Sequence, residues 1–395
     1  MVTPTTTLAD IDLFSDDHLR NPYENYARLR AAGPVVWLDR LDCWVASQYE
    51  TVRRVLGEND TFTSAKGVGL NDEVNTALKD TLIASDPPLH DQLRSVLAGQ
   101  LSPKAIRALG ESINSRAREL VMPLIDAGRF DAITDLARVF PPTIVADLVG
   151  IPEEVRPTLV GFGDAIFQMM GPADKPRTFA RADLVAEHYA WLATVESSTL
   201  LEGSWGRDIY KAVDDGIIDQ QTALGLLSGY TAAGMDTTIN ALGWAIELFT
   251  RHPEQWTAIR DDRSLIPGAF NEIVRFESPV QMFTRVATTD VELGGTHIEA
   301  GQRVMVLYGS ANRDETHFGS DAAEFDILRD SSDHLGFGYG LHGCVGQALA
   351  RLEAHTVLNI LADHVVRFHG ESEPEMHLNS TVRGLESFVV SVETA

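Results

Sequence analysis

The chain is short of cysteine, of positive charge and of long apolar runs, and each shortage excludes something. It has two cysteines, Cys43 and Cys344, far apart in sequence. Two such thiols make no disulfide framework and fit a reducing compartment. Lysine and arginine number 32 against 57 aspartates and glutamates, a net charge of −25. That balance excludes a general nucleic-acid surface and an anionic membrane surface, both of which need cations. No apolar run reaches the roughly 18 residues of a bilayer span. Residues Met1 to Thr7 have neither a basic start nor an apolar stretch, so no signal peptide is expected. A cytoplasmic location is therefore expected. Repeats and low-complexity linkers are absent too.

What is present suits a sizeable core: 44% of the 395 residues are hydrophobic. The first 12 residues read as a polar tail. Asn21-Pro22-Tyr23 starts a helical pattern that runs through Tyr26-Ala27-Arg28-Leu29-Arg30 and that Gly33-Pro34 ends. Val35–Leu38 and Cys43–Ala46 read as a short hairpin. The patterns predict one amphipathic helix over Ala105–Asp126, a helical continuation over Phe130–Leu148, and another helix starting at Pro152. Asp219–His252 is apolar nearly all round, which predicts one long buried helix. Pro267–Glu277 follows as a helix. Short strands are expected at Val291–Leu293, Arg303–Leu307 and Arg383–Val390, and 311–336 reads as irregular.

One loop stands out. Phe337-Gly338-Tyr339-Gly340-Leu341-His342-Gly343-Cys344-Val345-Gly346 crowds glycines around a single thiol, just ahead of a helical segment beginning at Gln347. Glycine permits left-handed backbone and close approach to a flat ligand. The unpaired N–H groups of a helix start favour a thiolate. A lone cysteine is usually a small buried hydrophobe, and Cys43 gets that reading. For Cys344 the surroundings point to an axial thiolate on a haem iron.

These residues resemble the haem-binding signature of the cytochrome P450 family, Phe-Gly-x-Gly-x-His-x-Cys-x-Gly-x-x-x-Ala-Arg. Residues 337–351 match it at every fixed position. The resemblance runs from about Asp10 to the C-terminus. It implies a mainly helical single domain over 1–395 with small β-sheets, haem b as cofactor, and Cys344 as the iron's axial ligand. It also gives meaning to Ala233-Gly234-Met235-Asp236-Thr237 inside the buried helix. A carboxylate and hydroxyls there are costly unless used or paired. In the family such an acid–alcohol pair, here Asp236 and Thr237, serves oxygen activation by supplying protons and hydrogen bonds. Glu272 and Arg275, with Arg329, correspond to a structural ion network. His90, Arg94, Arg285 and His342 correspond to the groups that hold the haem propionates.

The family sets a reaction type, and the substrate has to be read from the pocket. The lining expected by resemblance is Lys66, Leu70, Phe167, Met170, Gly229, Ala233, Val280 and Phe283. Apart from Lys66 it is small and apolar with aromatic walls, which suits a compact planar molecule. Residues 66–72, 276–281 and 381–387 look like the bacterial members that O-demethylate para-methoxybenzoate and related aromatic acids. Lys66 stands where an arginine is expected, and Gly229 and Ala232 where serines are expected. A secondary-metabolite hydroxylase with a larger substrate is the alternative. A non-catalytic haem-based ligand sensor is the alternative of another class. The resemblance implies electrons from a separate iron–sulfur ferredoxin and an NAD(P)H-dependent reductase. Ferredoxins are commonly acidic, so a local basic patch including Lys104, Arg107 and Arg351 is expected beside the Cys344 loop.

Overall fold

The computed structural model describes Leu8 and residues 10–394. Helices dominate, and among the described residues the strands form four small sheets. Five helices position the site: α1 (Arg156–Gln168), α2 (Gln220–Ala233), α3 (Asp236–Arg251), α4 (Ile266–Glu277) and α5 (Gln347–His364). Helices α3, α4 and α5 pack on one another around Leu242, Phe249, Phe270, Ile273 and Leu358, each almost wholly buried. Burying each such side chain contributes roughly 1.5–3 kcal/mol. No helix among the described residues is long and apolar enough to cross a membrane.

The N-terminal hairpin forms as the sequence predicts, with Val35 opposite Ala46 and Leu38 opposite Cys43. Its second strand pairs in parallel with Arg303–Leu307. That strand in turn pairs with Met282–Ala287, and the sheet closes on Phe62–Thr63. Cys43 is a buried apolar residue, as its context implies.

The strand expected over Arg383–Val390 is two, Arg383–Ser387 and Val389–Thr394, in different sheets, and five further expectations need correction. The polar tail is shorter than 12 residues, because Ile11 and Leu13 are buried against Tyr26, Met282 and Leu307. Residues 1–7 and 9 of that tail lie outside the described residues. The Ala105–Asp126 helix is two, Pro103–Ala108 and Gly110–Ala127. The first starts earlier because Ser102 caps Ala105 N–H and Pro103 sits at the favoured first position. Phe130 opens in a strand, Arg129–Asp131, paired with Val389–Ser391. Gly128 ends the preceding helix in the left-handed region, and Asp131 then caps the next turn through Ile133 and Thr134. The helix expected at Pro152 begins at Arg156.

The fifth correction bears on function. Asp219–His252 is not one helix but α2 and α3, interrupted at Gly234-Met235. At the break the Thr237 hydroxyl donates to the Ala233 carbonyl at 3.1 Å, a back-bond of the kind that competes with the helix ladder. The break falls within the acid–alcohol motif.

Candidate active site

The Cys344 loop is fixed before any ligand arrives. Cys344 N–H donates to the Phe337 carbonyl at 2.8 Å. Arg94 donates to the carbonyls of Leu341 (3.2 Å) and Gly343 (3.1 Å). Gly338 and Gly340 adopt φ of 72° and 70°, the left-handed region that glycine alone enters freely. At Gly340 a Cβ would also come within 2.7 Å of the Leu56 carbonyl. Burial pushes the Cys344 thiol up, and the N–H groups of Gly346 and Gln347 with Arg351 and Arg94 pull against that. Cys344 lines a cavity, where a metal ion bound at the sulfur would favour the thiolate.

Behind the loop stands the ion network. Glu272 and Arg275 are fully buried and joined by two hydrogen bonds of 2.7 Å each. Arg275 also donates to the carbonyls of Asn312 and Ala322. Arg329 approaches Glu272 at 3.5 Å, so the third arginine lies where the resemblance puts it. The network ties α4 to the irregular segment that leads into the Cys344 loop.

One cavity of about 320 Å³ connects the thiol to the helix break. Its lining includes all four expected cofactor-edge residues, His90, Arg94, Arg285 and His342. The rings of His90 and His342 lie 4.8 Å apart, edge to face. The Nε2 atoms of both are buried without a hydrogen-bond partner. Burial holds His342 down to about 3, with Arg285, His90 and Arg94 acting in the same direction. Arg285 is 3% exposed, and the one hydrogen bond of its guanidinium among the described residues goes to the Thr284 carbonyl. Burial pushes its guanidinium down as well. Buried, unpartnered imidazole nitrogens and a buried guanidinium lining one cavity are a costly arrangement that two carboxylates would relieve.

The opposite wall carries Thr237 and Thr238. Thr237 spends its proton on the Ala233 carbonyl, which leaves its oxygen as an acceptor. Asp236 is buried at the first turn of α3, and its carboxyl makes no hydrogen bond among the described residues. Burial pushes it up to about 8. The Asp164 carboxylate adds to this, while His377, Arg138 and Arg181 oppose it. At neutral pH it is a protonated acid, able to donate.

Two comparisons with known proteins bear on the chain as a whole. It is 37% identical to "Cytochrome p450 CYP199A2" of Rhodopseudomonas palustris over 390 residues, covering 98% of this chain and 94% of that protein. The chain belongs to the cytochrome P450 family. The family model "Cytochrome P450" itself matches residues 214–387. The P450 is also 30% identical to a steroid C26-monooxygenase of Rhodococcus jostii, over 98% of this chain and 84% of that one. Its fold superposes on epothilone D-bound cytochrome P450epoK with a TM-score of 0.87 at 26% identity, covering 98% and 100% of the two chains. The P450 is thus a haem-dependent monooxygenase whose family cofactor is haem b. The unpartnered Nε2 atoms of His90 and His342, the buried Arg285 and the cavity-lining thiol fit that group.

Of the eight expected pocket residues, Phe167, Met170, Gly229, Ala233, Val280 and Phe283 line the cavity. Two do not. Lys66 is exposed on its loop and outside the lining. Leu70 is turned away, packed against the N-terminal cluster around Leu13 and Met282. The reason is local. Leu70 N–H bonds the Met170 carbonyl, and Arg303 and Thr284 take the carbonyls of Gly67 and Gly69. These bonds fix the loop's backbone against the sheet and leave the Lys66 side chain outside. Lys66 is therefore not a cavity anchor in this structure.

Other lining groups were not legible in advance. Ser228 donates to the Tyr189 hydroxyl at 3.2 Å, forming a polar pair at the cavity wall. Glu353 lines the cavity with both carboxylate oxygens unpartnered, and burial raises it well above the usual carboxylate range. Its signal in the sequence was a carboxylate in an apolar stretch directly after Ala350-Arg351. Arg351 is not a free patch residue. It lies 4.5 Å over the Phe337 ring and donates to Gln347 and Asn271. Lys104 and Arg107 are exposed, on a short helix that packs against α5.

Proposed function

We propose that the P450 hydroxylates or O-dealkylates a compact aromatic substrate, and that O-demethylation of a para-methoxybenzoate-type acid is the reaction its pocket supports best. The observation that carries this reading is the cavity lining, to which Phe167, Met170, Val280 and Phe283 contribute together with Gly229 and Ala233. Aromatic and small apolar walls of this kind hold a flat ring by area and shape.

Haem held by Cys344 would supply dioxygen activation and oxygen insertion. Arg94, Arg285, His90 and His342 would hold its two propionates. Thr237 offers its oxygen as an acceptor toward the cavity, and Asp236 holds a proton at its buried carboxyl. Such an acid–alcohol pair delivers protons without admitting bulk water. It also sets this reading apart from a ligand sensor, which needs no proton supply. Hydroxylating a methoxy carbon gives a hemiacetal, which releases formaldehyde and the phenol.

Among the described lining residues, the basic ones are the four cofactor-edge groups, which leaves no further cation for a substrate carboxylate. That observation favours a second reading, an uncharged aryl ether whose polar end meets Tyr189 and Ser228. Optical titration of the ferric protein separates the two. The first reading expects 4-methoxybenzoate to drive the Soret band toward the high-spin form at lower concentration than its methyl ester. The reverse order selects the uncharged substrate. No shift with either at millimolar ligand sinks the proposal for small para-methoxy aromatics.

We further propose a cytoplasmic enzyme that receives electrons from a separate iron–sulfur ferredoxin and its NAD(P)H-dependent reductase. The exposed Lys104 and Arg107 would guide an acidic ferredoxin to the Cys344 side. Reversing both charges is expected to slow association about tenfold at low salt, with the effect fading as salt rises. Stopped-flow rates identical to wild type would remove these two residues from the docking site.

A further inference from the structure

A second polar cluster lies behind the helix break, outside the cavity. Its centre is His377, on the strand Glu375–Leu378. His377 Nδ1 lies 2.7 Å from Glu386 Oε2, and Nε2 lies 2.5 Å from Asp164 Oδ1. A ring with a carboxylate oxygen at each nitrogen is satisfied when both nitrogens carry protons. The flanking cations are placed around it. Arg138 makes a two-pronged contact with Glu386 at 2.8 and 2.6 Å, and Arg181 reaches Asp164 Oδ2 at 2.5 Å. Asn379 donates to Asp164 at both its carboxylate and its backbone carbonyl.

Two glycines bring this cluster onto Asp236. Asp164 follows Gly163 on α1. A Cβ at Gly163 would lie 3.3 Å from the Ala232 carbonyl and 3.5 Å from the Asp236 carboxyl carbon, so α1 lies directly against the break. Gly384 pairs with His377 in the hairpin register, and a side chain there would overlap Asn240 of α3. The hairpin therefore presses on the helix that starts at Asp236. Exposure falls along the path: the Glu386 side chain is 42% exposed, His377 19% and Asp164 11%.

We propose that His377 is a positioning residue for proton supply: held between Glu386 and Asp164, its imidazolium offsets the Asp164 charge and thereby sets when Asp236 can give up its proton. The proposal rests on the reading of Asp236 as the proton donor. The electrostatics run in the required direction. Burial works against the His377 charge, but its bonds to Asp164 and Glu386 outweigh that and lift it to about 9. Asp236 is raised by burial and by Asp164, and lowered by His377, Arg138 and Arg181. The carboxylates and guanidiniums named here are the charged groups that face the pair from α1, the hairpin and the turn at Arg138. Removing the imidazolium leaves the Asp164 charge less compensated and pushes Asp236 up.

The test is an infrared titration of the protonated Asp236 carboxyl in the haem-loaded protein, with the band assigned by its loss in Asp236→Asn. His377→Gln keeps hydrogen-bonding atoms and removes the charge. It is expected to raise the band's midpoint by roughly one pH unit, while His377→Lys holds it near the wild-type value. A merely structural tie would lower the melting temperature of His377→Gln and leave the midpoint in place, and that result overturns the proposal. Should His377→Gln fail to fold, His377→Asn carries the same test: the midpoint is expected to rise, and an unmoved midpoint overturns the proposal. Failure of the donor reading itself would be seen separately, as full turnover in Asp236→Asn.

Discussion

Arg275→Ala is expected to yield a protein that fails to retain haem. Arg275 is fully buried and makes two bonds of 2.7 Å to Glu272, with further bonds to the carbonyls of Asn312, Ala322 and Glu324. Removing it strands the Glu272 carboxylate in a fully buried position, with Arg329 at 3.5 Å as the nearest remaining cation. Breaking one partner out of a buried ion pair costs roughly 3–5 kcal/mol. A whole domain is stable by only about 5–15 kcal/mol. The loss falls where it matters, because the Asn312 side chain also accepts from Leu335 N–H at the entry to the loop. Arg275→Lys should not rescue, since an ammonium cannot reproduce the forked contact. The haem-to-protein absorbance ratio and the urea midpoint check this. Full haem occupancy with an unchanged midpoint would refute the structural role.

Asp236→Asn is expected to lower product formation by about 10²-fold or more, the usual contribution of a positioned general acid. Substrate-induced spectral change should persist, because the carboxyl is buried beside the break and outside the cavity lining. The pH profile gives a second signature. The wild-type acid sits near 8, so its donating form is present below that pH and lost as pH rises through it. Wild-type turnover should fall across that range, and the fall should be absent from the residual activity of Asp236→Asn. Product yield and pH profile equal to wild type would exclude Asp236 from the proton path.

The fold class and both faces of the cavity were legible because their residues carry their own reason. Glycines around Cys344 and a carboxylate inside an apolar helix are expensive unless used. The break between α2 and α3 was not legible, because the periodicity of Asp219–His252 continues through it. At the break the Thr237 hydroxyl bonds the Ala233 carbonyl, a contact the apolar pattern does not announce. Lys66 was misplaced for a different reason. Its position depends on Arg303 and Thr284 holding the loop from strands more than 200 residues away in sequence. The His377 cluster was invisible for the same reason, since Asp164, His377 and Glu386 meet only once α1 and the C-terminal hairpin pack together.

The central claim is that Cys344 holds a haem iron as a thiolate opposite the acid–alcohol pair. The optical spectrum of the reduced, carbon monoxide-bound protein tests it most directly. A thiolate ligand gives the red-shifted Soret band for which the family is named. Wild type is predicted to show that band, and Cys344→His is predicted to lose it and show the shorter-wavelength band of an imidazole-ligated haem. A wild-type spectrum without the red-shifted band, or one that Cys344→His leaves unchanged, would contradict the account.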